Sequence, residues 1–448
     1  MPSTAIDSSL FGNAFSSEPM RKVFSDENRI RKYLQFEAAL ATVQGRLGII
    51  PADAAAEIAT NCALDKIDMD KLRKDTERIG SPVLGLVQQL AAACRDGLGE
   101  YCHWGATTQD VTDTATILQV REALDLVASD LAAISGSLAN LARRHRDTPM
   151  VGRSYLQHAV PITFGFKVAA LLSAIERHRQ RQAELSPRVL VGEFAGAVGT
   201  LASLPAGGLD TQEALMDALG LGQPDIAWHS HRDRIAEVGC FLGLVTGTLA
   251  KLATDVELMM QTEVGEAFEP AAPGRGSSST MPQKRNPVSC VYILACASVV
   301  RQHVAALLEA MVSDHERATG SWQIEWIALP DSFLLTSGAL THARSLAAGL
   351  EVDQARMRAN LDLTHGLIVS EAVMMGLAPH LGRGHAHDLV QALCAKAIEQ
   401  RRPLFDILAE TPEITRHVDA DALGKLCDPT RYLGLSAVMV DRVLAKLR

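Results

Sequence analysis

The sequence predicts an all-α protein made of three helical domains, with long helices in the central one. Three observations favour this fold class. Alanine and leucine, both strong helix formers, dominate a 448-residue chain that is 47% hydrophobic but only 4% aromatic. Alternating β-branched residues, which are typical of strands, are rare. Proline, which ends or kinks helices, is absent from residues 83–148, 225–269 and 288–329, so each interval can hold a long helix.

Apolar residues within these intervals recur at steps of three and four, which places them on one face of a helix. The repeats are Leu131, Ile134, Leu138 and Leu141; Leu242, Val245, Leu249, Leu252, Val256 and Met259; and Ile293, Ala297, Val300, Val304, Leu307 and Met311. We expect a first helical domain over residues 1–110, a central bundle over 111–360 with a functional loop at 262–287, and a small helical domain over 361–448.

Charge and composition narrow the class of protein. A formal net charge of -9 gives no overall basic field for nucleic acid, although a local cationic pocket can still bind a small anion. The sequence starts without a signal-like segment, and no run approaches eighteen apolar residues. Its eight cysteines lack zinc-type spacing. We therefore expect a cytoplasmic enzyme with free thiols that binds neither nucleic acid, membrane nor metal.

The polar stretch GRGSSSTMPQKRNP, residues 274–287, lies between the second and third apolar repeats. It supplies the cations Arg275, Lys284 and Arg285, together with hydroxyl groups and backbone N–H donors. Such a set is suited to binding a carboxylate or a phosphate. A solvated linker of the same composition is the alternative, although loops this long in compact domains are often functional.

Three other stretches contain candidate functional residues. YCHWGATTQDVTDT (101–114) precedes a long predicted helix, where Thr108 or Asp110 could be a simple N-cap. GRSYLQHAVPITFG (152–165) contains His158, which alone is more often structural than catalytic. DHERATGSWQIEWIALPDS (314–332) places Glu325 between two tryptophans, at what could be the edge of an amphipathic helix.

In order along the chain, HWGATTQDVTDT, LQHAVP, GAVGT (196–200), SSTMPQKRNP and GRGHAHDLV resemble the fumarase/aspartase superfamily over nearly the whole chain. This resemblance implies a homotetramer with a twenty-helix core and active sites shared between subunits. It also implies cofactor-free elimination or addition β to a carboxylate. A base removes the α proton, and the resulting aci-carboxylate dianion needs cations and hydrogen-bond donors.

The resemblance assigns roles to individual residues of this sequence. It implies that Ser278 is the catalytic base, and that Lys284 and Asn286 bind the substrate carboxylate. The remaining substrate-binding candidates are His103, Thr107, Thr108, Gln109, Gln157, Arg275, Ser279, Thr280 and Arg285. His158 is a candidate substrate ligand or acid.

Two departures from the superfamily pattern indicate the reaction. Tyr155 stands where fumarases and adenylosuccinate lyases have their general-acid histidine, and Glu325-Trp326 replaces a Glu-Arg pair that helps to hold a nucleotide phosphate. With LQHAVP and WQIEW, these departures are similar to bacterial 3-carboxy-cis,cis-muconate cycloisomerases, although Tyr155 is unusual there too. The resemblance implies conversion of 3-carboxy-cis,cis-muconate to 4-carboxymuconolactone in protocatechuate (β-ketoadipate) catabolism. One alternative is a C–N or C–O lyase that releases fumarate from a substituted succinate; another is a non-catalytic relative with the same tetrameric scaffold, against which the intact Ser278, Lys284 and Asn286 argue.

Overall fold

The computed structural model describes residues 4–447 and confirms the all-α prediction, with nineteen α-helices in that range. The first nine are α1 Gly12–Phe15, α2 Glu18–Val23, α3 Asp26–Arg46, α4 Ala52–Asn61, α5 Met69–Ile79, α6 Pro82–Ala93, α7 Thr108–Arg144, α8 Phe164–Val189 and α9 Gly208–Leu219. The others are α10 Asp233–Met260, α11 Val288–Glu309, α12 Ser321–Gly349, α13 Gln354–Leu361, α14 Ser370–Leu381, α15 Arg383–Gln400, α16 Leu404–Ala409, α17 Pro412–Thr415, α18 Ala420–Leu426 and α19 Ser436–Leu444. Short 3₁₀ helices lie at Leu64–Lys66, Leu98–Tyr101, Leu367–Val369 and Pro429–Arg431.

The chain divides into two compact units, each assembled from separate stretches of sequence. The first unit contains residues up to 131, 178–249 and 292–341, and the second contains 132–177, 250–291 and the residues from 342 onward. The three domain ranges expected from the sequence stay a prediction.

The first two apolar repeats lie within long helices, as predicted, and the third does so except for its last residue. The residues of the first two repeats, in α7 and α10, are all buried. The third repeat begins in α11, but Met311 lies beyond the end of that helix and is exposed. Pro330 lies inside α12, so the proline-free interval 288–329 contains α11 and the first turns of a second helix.

Helix ends near the N-terminus follow from local side-chain chemistry. Asp68 caps α5 by accepting a hydrogen bond from the backbone N–H three residues later, at 2.9 Å. The helix ends at Gly80, whose φ of +89° favours glycine. Ser81 then caps α6, in which Pro82 occupies the first position and so forfeits no helical hydrogen bond.

The described residues form four short strands: β1 Pro149–Ser154, β2 Gln157–Thr163, β3 Ala267–Phe268 and β4 Glu351–Val352. β1 pairs antiparallel with β2, and β3 pairs antiparallel with β4. Tyr155 and Leu156 form the tip of the first hairpin with φ values of +49° and +62°, and their side chains are 95% and 77% exposed. A hairpin at this position was not predicted from the sequence.

Three helices are apolar over a length sufficient to cross a membrane. By length and composition alone, α7, α10 and α11 meet that criterion. Much of α11 is exposed, and Val291, Val299 and Leu308 are among its exposed apolar residues. The helix therefore presents apolar side chains on its surface.

Candidate active site

The predicted site residues fall into two groups, one in each unit. In the first unit, the segment that leads into α7 is held by Asp110, whose carboxylate is fully buried. The backbone N–H groups of Thr107, Ala195 and Gly196 donate to it at 2.9–3.0 Å, and His229 Nε2 lies 2.8 Å from it. Asp110 therefore connects the start of α7 to the glycine turn at 196–200.

Gln109 is buried, and both ends of its amide have protein partners. Its Nε2 donates to the carboxylate of Asp113 at 3.0 Å and to the carbonyl of His229 at 2.8 Å. Its Oε1 accepts from Arg317 Nη1 at 2.6 Å. A substrate contact to this amide would compete with these bonds, so the role of Gln109 as a substrate ligand stays a prediction.

Arg317 joins the segment before α12 to the same glycine turn. Its Nη2 donates to the carbonyls of Gly196 and Ala197 at 2.9 and 2.8 Å, and its Nε donates to Ala197 at 3.0 Å. These acceptors are neutral, so the guanidinium keeps its positive charge uncompensated by direct ion pairing among residues 4–447. Arg317 thus places a cation next to the start of α7.

Arg232 lies between two buried carboxylates. Its Nη1 and Nη2 donate to Asp113 at 2.6 and 3.1 Å, while Nε and Nη2 donate to Glu325 at 2.8 and 2.5 Å. The guanidinium also lies 4.9 Å from the ring of Trp228. Glu325 is therefore an interior ion-pair partner, and the alternative of an exposed helix edge is wrong for this residue.

Glu193 is a fully buried carboxyl group beside the same cluster. Burial raises its pKa to about 9, and the negative charges of Asp113 and Asp110 add to this shift. Oε1 accepts from the backbone N–H of Trp228 at 2.6 Å, and Oε2 has no hydrogen-bond partner among residues 4–447. Glu193 is thus a neutral acid at pH 7.

His103 adopts a φ of +57° four residues before Thr107. Its Nδ1 lies 2.7 Å from Oε1 of Glu37, a residue of α3 that is almost completely buried. Burial would lower the pKa of His103, but the charge of Glu37 and its hydrogen bond outweigh that effect and raise it. The histidine is therefore biased towards its charged form.

In the second unit, the loop 274–287 is closed on itself. The backbone N–H and the Nδ2 of Asn286 both donate to the carbonyl of Gly276 at 2.9 Å, and Ser277 pairs with Arg285 in an isolated bridge. The Oγ of Ser278 accepts from the N–H groups of Thr280 and Met281, at 3.3 and 3.1 Å. Hydrogen bonds to an oxygen favour its anionic form, so this geometry is suited to activating Ser278.

The three cations of this loop differ in their contacts. Arg275 donates to Ser289 at 2.5 Å and lies 3.6 Å from Glu269. Arg285 pairs with Glu351 at 3.1 Å and donates to the carbonyl of Glu269 at 2.7 Å. Lys284 is exposed and has no ion-pair partner in the described part of the chain.

A cavity of about 200 Å³ lies beside the two engaged arginines. It is lined by Met260, Glu269, Pro270, Ala271, Ala272, Arg275, Arg285 and Asn286. The loop candidates Ser279 and Thr280 are exposed. The loop therefore brings Ser278, Lys284 and Asn286 into one short closed segment, of which Asn286 lines the cavity, and their functional roles stay predictions.

His158 lies on β2 opposite Arg153 of β1. Burial lowers its pKa, Arg153 lowers it further, and Glu266 opposes the shift. Arg153 itself forms two hydrogen bonds of 2.8 Å with Glu266, which also accepts from Asn360. The imidazole of His158 is therefore biased towards neutrality, which suits a ligand or proton acceptor better than an acid. The neighbouring candidate Gln157 is exposed.

Several residues of this arrangement were not predicted to be functional. Glu37 lies in the middle of a long helix, and Glu193 lies just before the glycine turn. Neither residue belongs to a sequence motif that could have identified it. Arg317 could be suspected only from its place in the HERATG segment. Within residues 4–447, no group of three or more His, Cys, Asp or Glu side chains is arranged to hold a metal ion.

Comparison with known proteins supports the resemblance seen in the sequence. Residues 14–301 match the family described as "Lyase", and residues 366–443 match "Adenylosuccinate lyase C-terminus". The chain is 55% identical over 446 residues to trans-aconitate decarboxylase 1 of Mycosarcoma maydis, covering 100% of this chain and 90% of that protein.

Two bacterial proteins are also similar to this chain over nearly its whole length. The 3-carboxy-cis,cis-muconate cycloisomerase of Pseudomonas aeruginosa is 47% identical over 440 residues, covering 98% of this chain and 96% of that protein. The crystal structure of a fumarate lyase from Mesorhizobium sp. BNC1 has a TM-score of 0.92 and 50% identity, covering 97% of this chain and 99% of that one. Similarity therefore extends over the whole chain in both sequence and fold.

The buried acid Glu193 generates a prediction about pH and stability. Its folded pKa of about 9 exceeds the ordinary value of 4.5, so its stabilising contribution is complete below pH 4.5 and is lost as the pH rises towards about 9. We expect Glu193→Gln, which mimics the neutral acid, to lose less stability over this range than the native chain. Denaturant unfolding at stepped pH measures the difference.

The exposed Glu213→Gln is the matched control and should follow the native pH dependence. If Glu193→Gln and the native chain lost stability in parallel between pH 4.5 and about 9, Glu193 would not be the neutral acid described above.

Proposed function

The chain belongs to the lyase family of the fumarase/aspartase superfamily, and from this premise we propose that it acts on an unsaturated tricarboxylate. The observation that carries the proposal is full-length similarity to proteins named for two such substrates, trans-aconitate and 3-carboxy-cis,cis-muconate. Each substrate has three carboxylates and at least one carbon–carbon double bond. The leading reaction is cycloisomerisation of 3-carboxy-cis,cis-muconate to 4-carboxymuconolactone.

In this reaction, one carboxylate oxygen of the substrate forms a C–O bond to the carbon β to another carboxylate. The electron pair of the double bond moves onto that second carboxylate, giving an aci-carboxylate dianion, and a proton then adds at the α carbon. No group leaves, so no histidine is needed to protonate one, in agreement with Tyr155 at that position. Ser278 is proposed to carry the α proton and Lys284 to bind the developing negative charge.

The hydrogen-bond donors and the cation of loop 274–287 support these roles of Ser278 and Lys284. Two backbone N–H groups point to Ser278 Oγ, and the unpaired Lys284 is the loop cation that is free to meet a carboxylate. Asn286 closes the loop through its Nδ2 and retains an amide oxygen and a second N–H. These groups match the charge of the proposed dianion.

Decarboxylation of trans-aconitate is a second candidate, favoured by the 55% identity to trans-aconitate decarboxylase 1. There a C–C bond breaks, CO₂ leaves, and the electron pair delocalises onto a remaining carboxylate before the carbon is protonated. Both reactions pass through a carboxylate-stabilised carbanion, so the same cations and donors serve either one. A C–N or C–O lyase that releases fumarate is the third candidate, favoured by the 50% identity to the fumarate lyase of Mesorhizobium sp. BNC1.

Incubation of the purified protein with each substrate class tests the proposal. We expect loss of the conjugated-diene absorbance with 3-carboxy-cis,cis-muconate; release of CO₂ from trans-aconitate instead would select the second candidate. Formation of fumarate from an aminosuccinate-type substrate, with both tricarboxylates left unchanged, would overturn the tricarboxylate proposal.

Ser278→Ala tests the role of the loop serine. Removal of a group that transfers a proton typically slows a reaction by about 10²–10⁴-fold, and we expect a decrease of this size in kcat on the active substrate. Ser277→Ala, which removes the adjacent exposed hydroxyl, is the control and should retain activity. Equal activities of the two variants would exclude Ser278 as the group that transfers the α proton.

The apolar surface of α11 supports a proposal about assembly. Apolar side chains are exposed along α11, and the superfamily resemblance implies a homotetramer in which other subunits would cover them. We expect light scattering to give a mass about four times the 48.1 kDa of one chain. Val299→Asp, placing a charge on this surface, should lower that mass, and a native mass of one chain would contradict the proposal.

A further inference from the structure

The two ring nitrogens of His103 differ in their contacts: one is hydrogen-bonded to a buried residue, and the other has no partner in the described part of the chain. Nδ1 is bound by Glu37 at 2.7 Å, whereas Nε2 has no hydrogen-bond partner in the described part of the chain. The histidine side chain is 19% exposed, but that of Glu37 is only 1% exposed. One edge of the imidazole is therefore accessible while the opposite edge is fixed in the interior.

Two side chains of helix α3 form hydrogen bonds with the segment around His103. Glu37 binds the ring of His103, and Gln44, seven residues and two helical turns later, donates from Nε2 to the carbonyl of Trp104 at 2.8 Å. Both polar side chains lie on the buried face of α3. One polar atom of each side chain is paired in this way, whereas Glu37 Oε2 and Gln44 Oε1 have no hydrogen-bond partner among residues 4–447. Two buried polar side chains of α3 thus hold residues 103–104.

No other acidic or thiol group near His103 takes the place of Glu37 as a charged partner of the ring in the described part of the chain. Asp110 of α7 acts on His103 through its charge, but its oxygens are occupied by backbone N–H groups and His229. The thiols of Cys62 and Cys102 lie in the field of Glu37, and burial raises the pKa of both, so they are neutral at pH 7. Glu37 is thus the charged group in direct contact with the ring.

We propose that Glu37 is a positioning residue that holds His103 as an imidazolium, with Nε2–H directed at a carboxylate of the substrate. The inference deepens the proposed function, on which it rests for the identity of the ligand. A positive charge on His103, four residues before Thr107, adds to that of Arg317 beside the start of α7, so that a polyanionic substrate meets two cations there. Glu37 itself does not touch the substrate.

Ring NMR of histidine-labelled protein, with His103→Asn used to assign the signal, measures the charge directly. Native His103 should titrate above the ordinary value of 6.5, because Glu37 outweighs burial. In Glu37→Gln the burial remains and the carboxylate is lost, so the titration should move to lower pH. An unchanged titration would overturn the proposal whatever the enzyme's substrate is.

Binding of tricarballylate, a saturated tricarboxylate that cannot react, is the second readout. At pH 7.5, Glu37→Gln should weaken binding by about 10- to 100-fold, as expected for the loss of one hydrogen bond to a charged group. Lowering the pH should restore it, because His103 then protonates without Glu37. Weakening that persists at low pH would show a purely structural role and overturn the proposal.

Activity separates this inference from the proposed function. The basic limb of the kcat/KM profile on the active substrate should move to lower pH in Glu37→Gln and stay in place in Glu27→Gln, an exposed control on the same helix. If neither tricarboxylate reacts, the proposed function fails, while the NMR titration still decides the role of Glu37.

Discussion

The polar interior of the first unit depends on the buried guanidinium of Arg232. This residue precedes α10 and binds Asp113 of α7 and Glu325 of α12 with two hydrogen bonds to each. Taking three charges out of water costs free energy, and only geometry this close compensates for it. Loss of the cation would leave two buried carboxylates unpaired, which typically costs about 3–5 kcal/mol. Electrostatics as well as apolar packing therefore fixes how α7 aligns with the starts of α10 and α12.

That alignment extends from the ion pairs to the candidate substrate-binding residues. Asp113 accepts from Gln109, one helical turn closer to the start of α7, and Gln109 accepts from Arg317. Arg317 in turn holds the carbonyls of Gly196 and Ala197. The start of α7 and the glycine turn are thus positioned by bonds that lead back to Arg232. Glu193 lies beside this cluster, where burial and the negative charges of Asp113 and Asp110 raise its pKa and favour its neutral form.

The sequence predicted those features that depend on local spacing. A repeat of three and four residues is sufficient to identify α7 and α10, but the hairpin at 149–163 turns at Tyr155 and Leu156, which lack the Asn-Gly or Asp-Gly signature of a two-residue turn. Gln109 and Arg317 are 208 residues apart, and no local pattern pairs them. The loop 274–287 was identifiable because its chemistry lies in one continuous stretch, whereas the buried network is assembled from distant parts of the chain.

Within the loop 274–287, ion pairs with the protein's own acidic residues determine which cation remains available to bind a substrate. Glu269 lies 3.6 Å from the guanidinium of Arg275, and Glu351 lies 3.1 Å from that of Arg285, so much of both positive charges is already compensated. These contacts fix the two ends of the loop, and Asn286 closes it by binding Gly276. Lys284 is exposed and has no ion-pair partner among residues 4–447, so no acid of the described chain compensates its charge in this way. A polycarboxylate that reached the loop would therefore meet one uncompensated cation, close in sequence to a serine that already accepts two backbone hydrogen bonds.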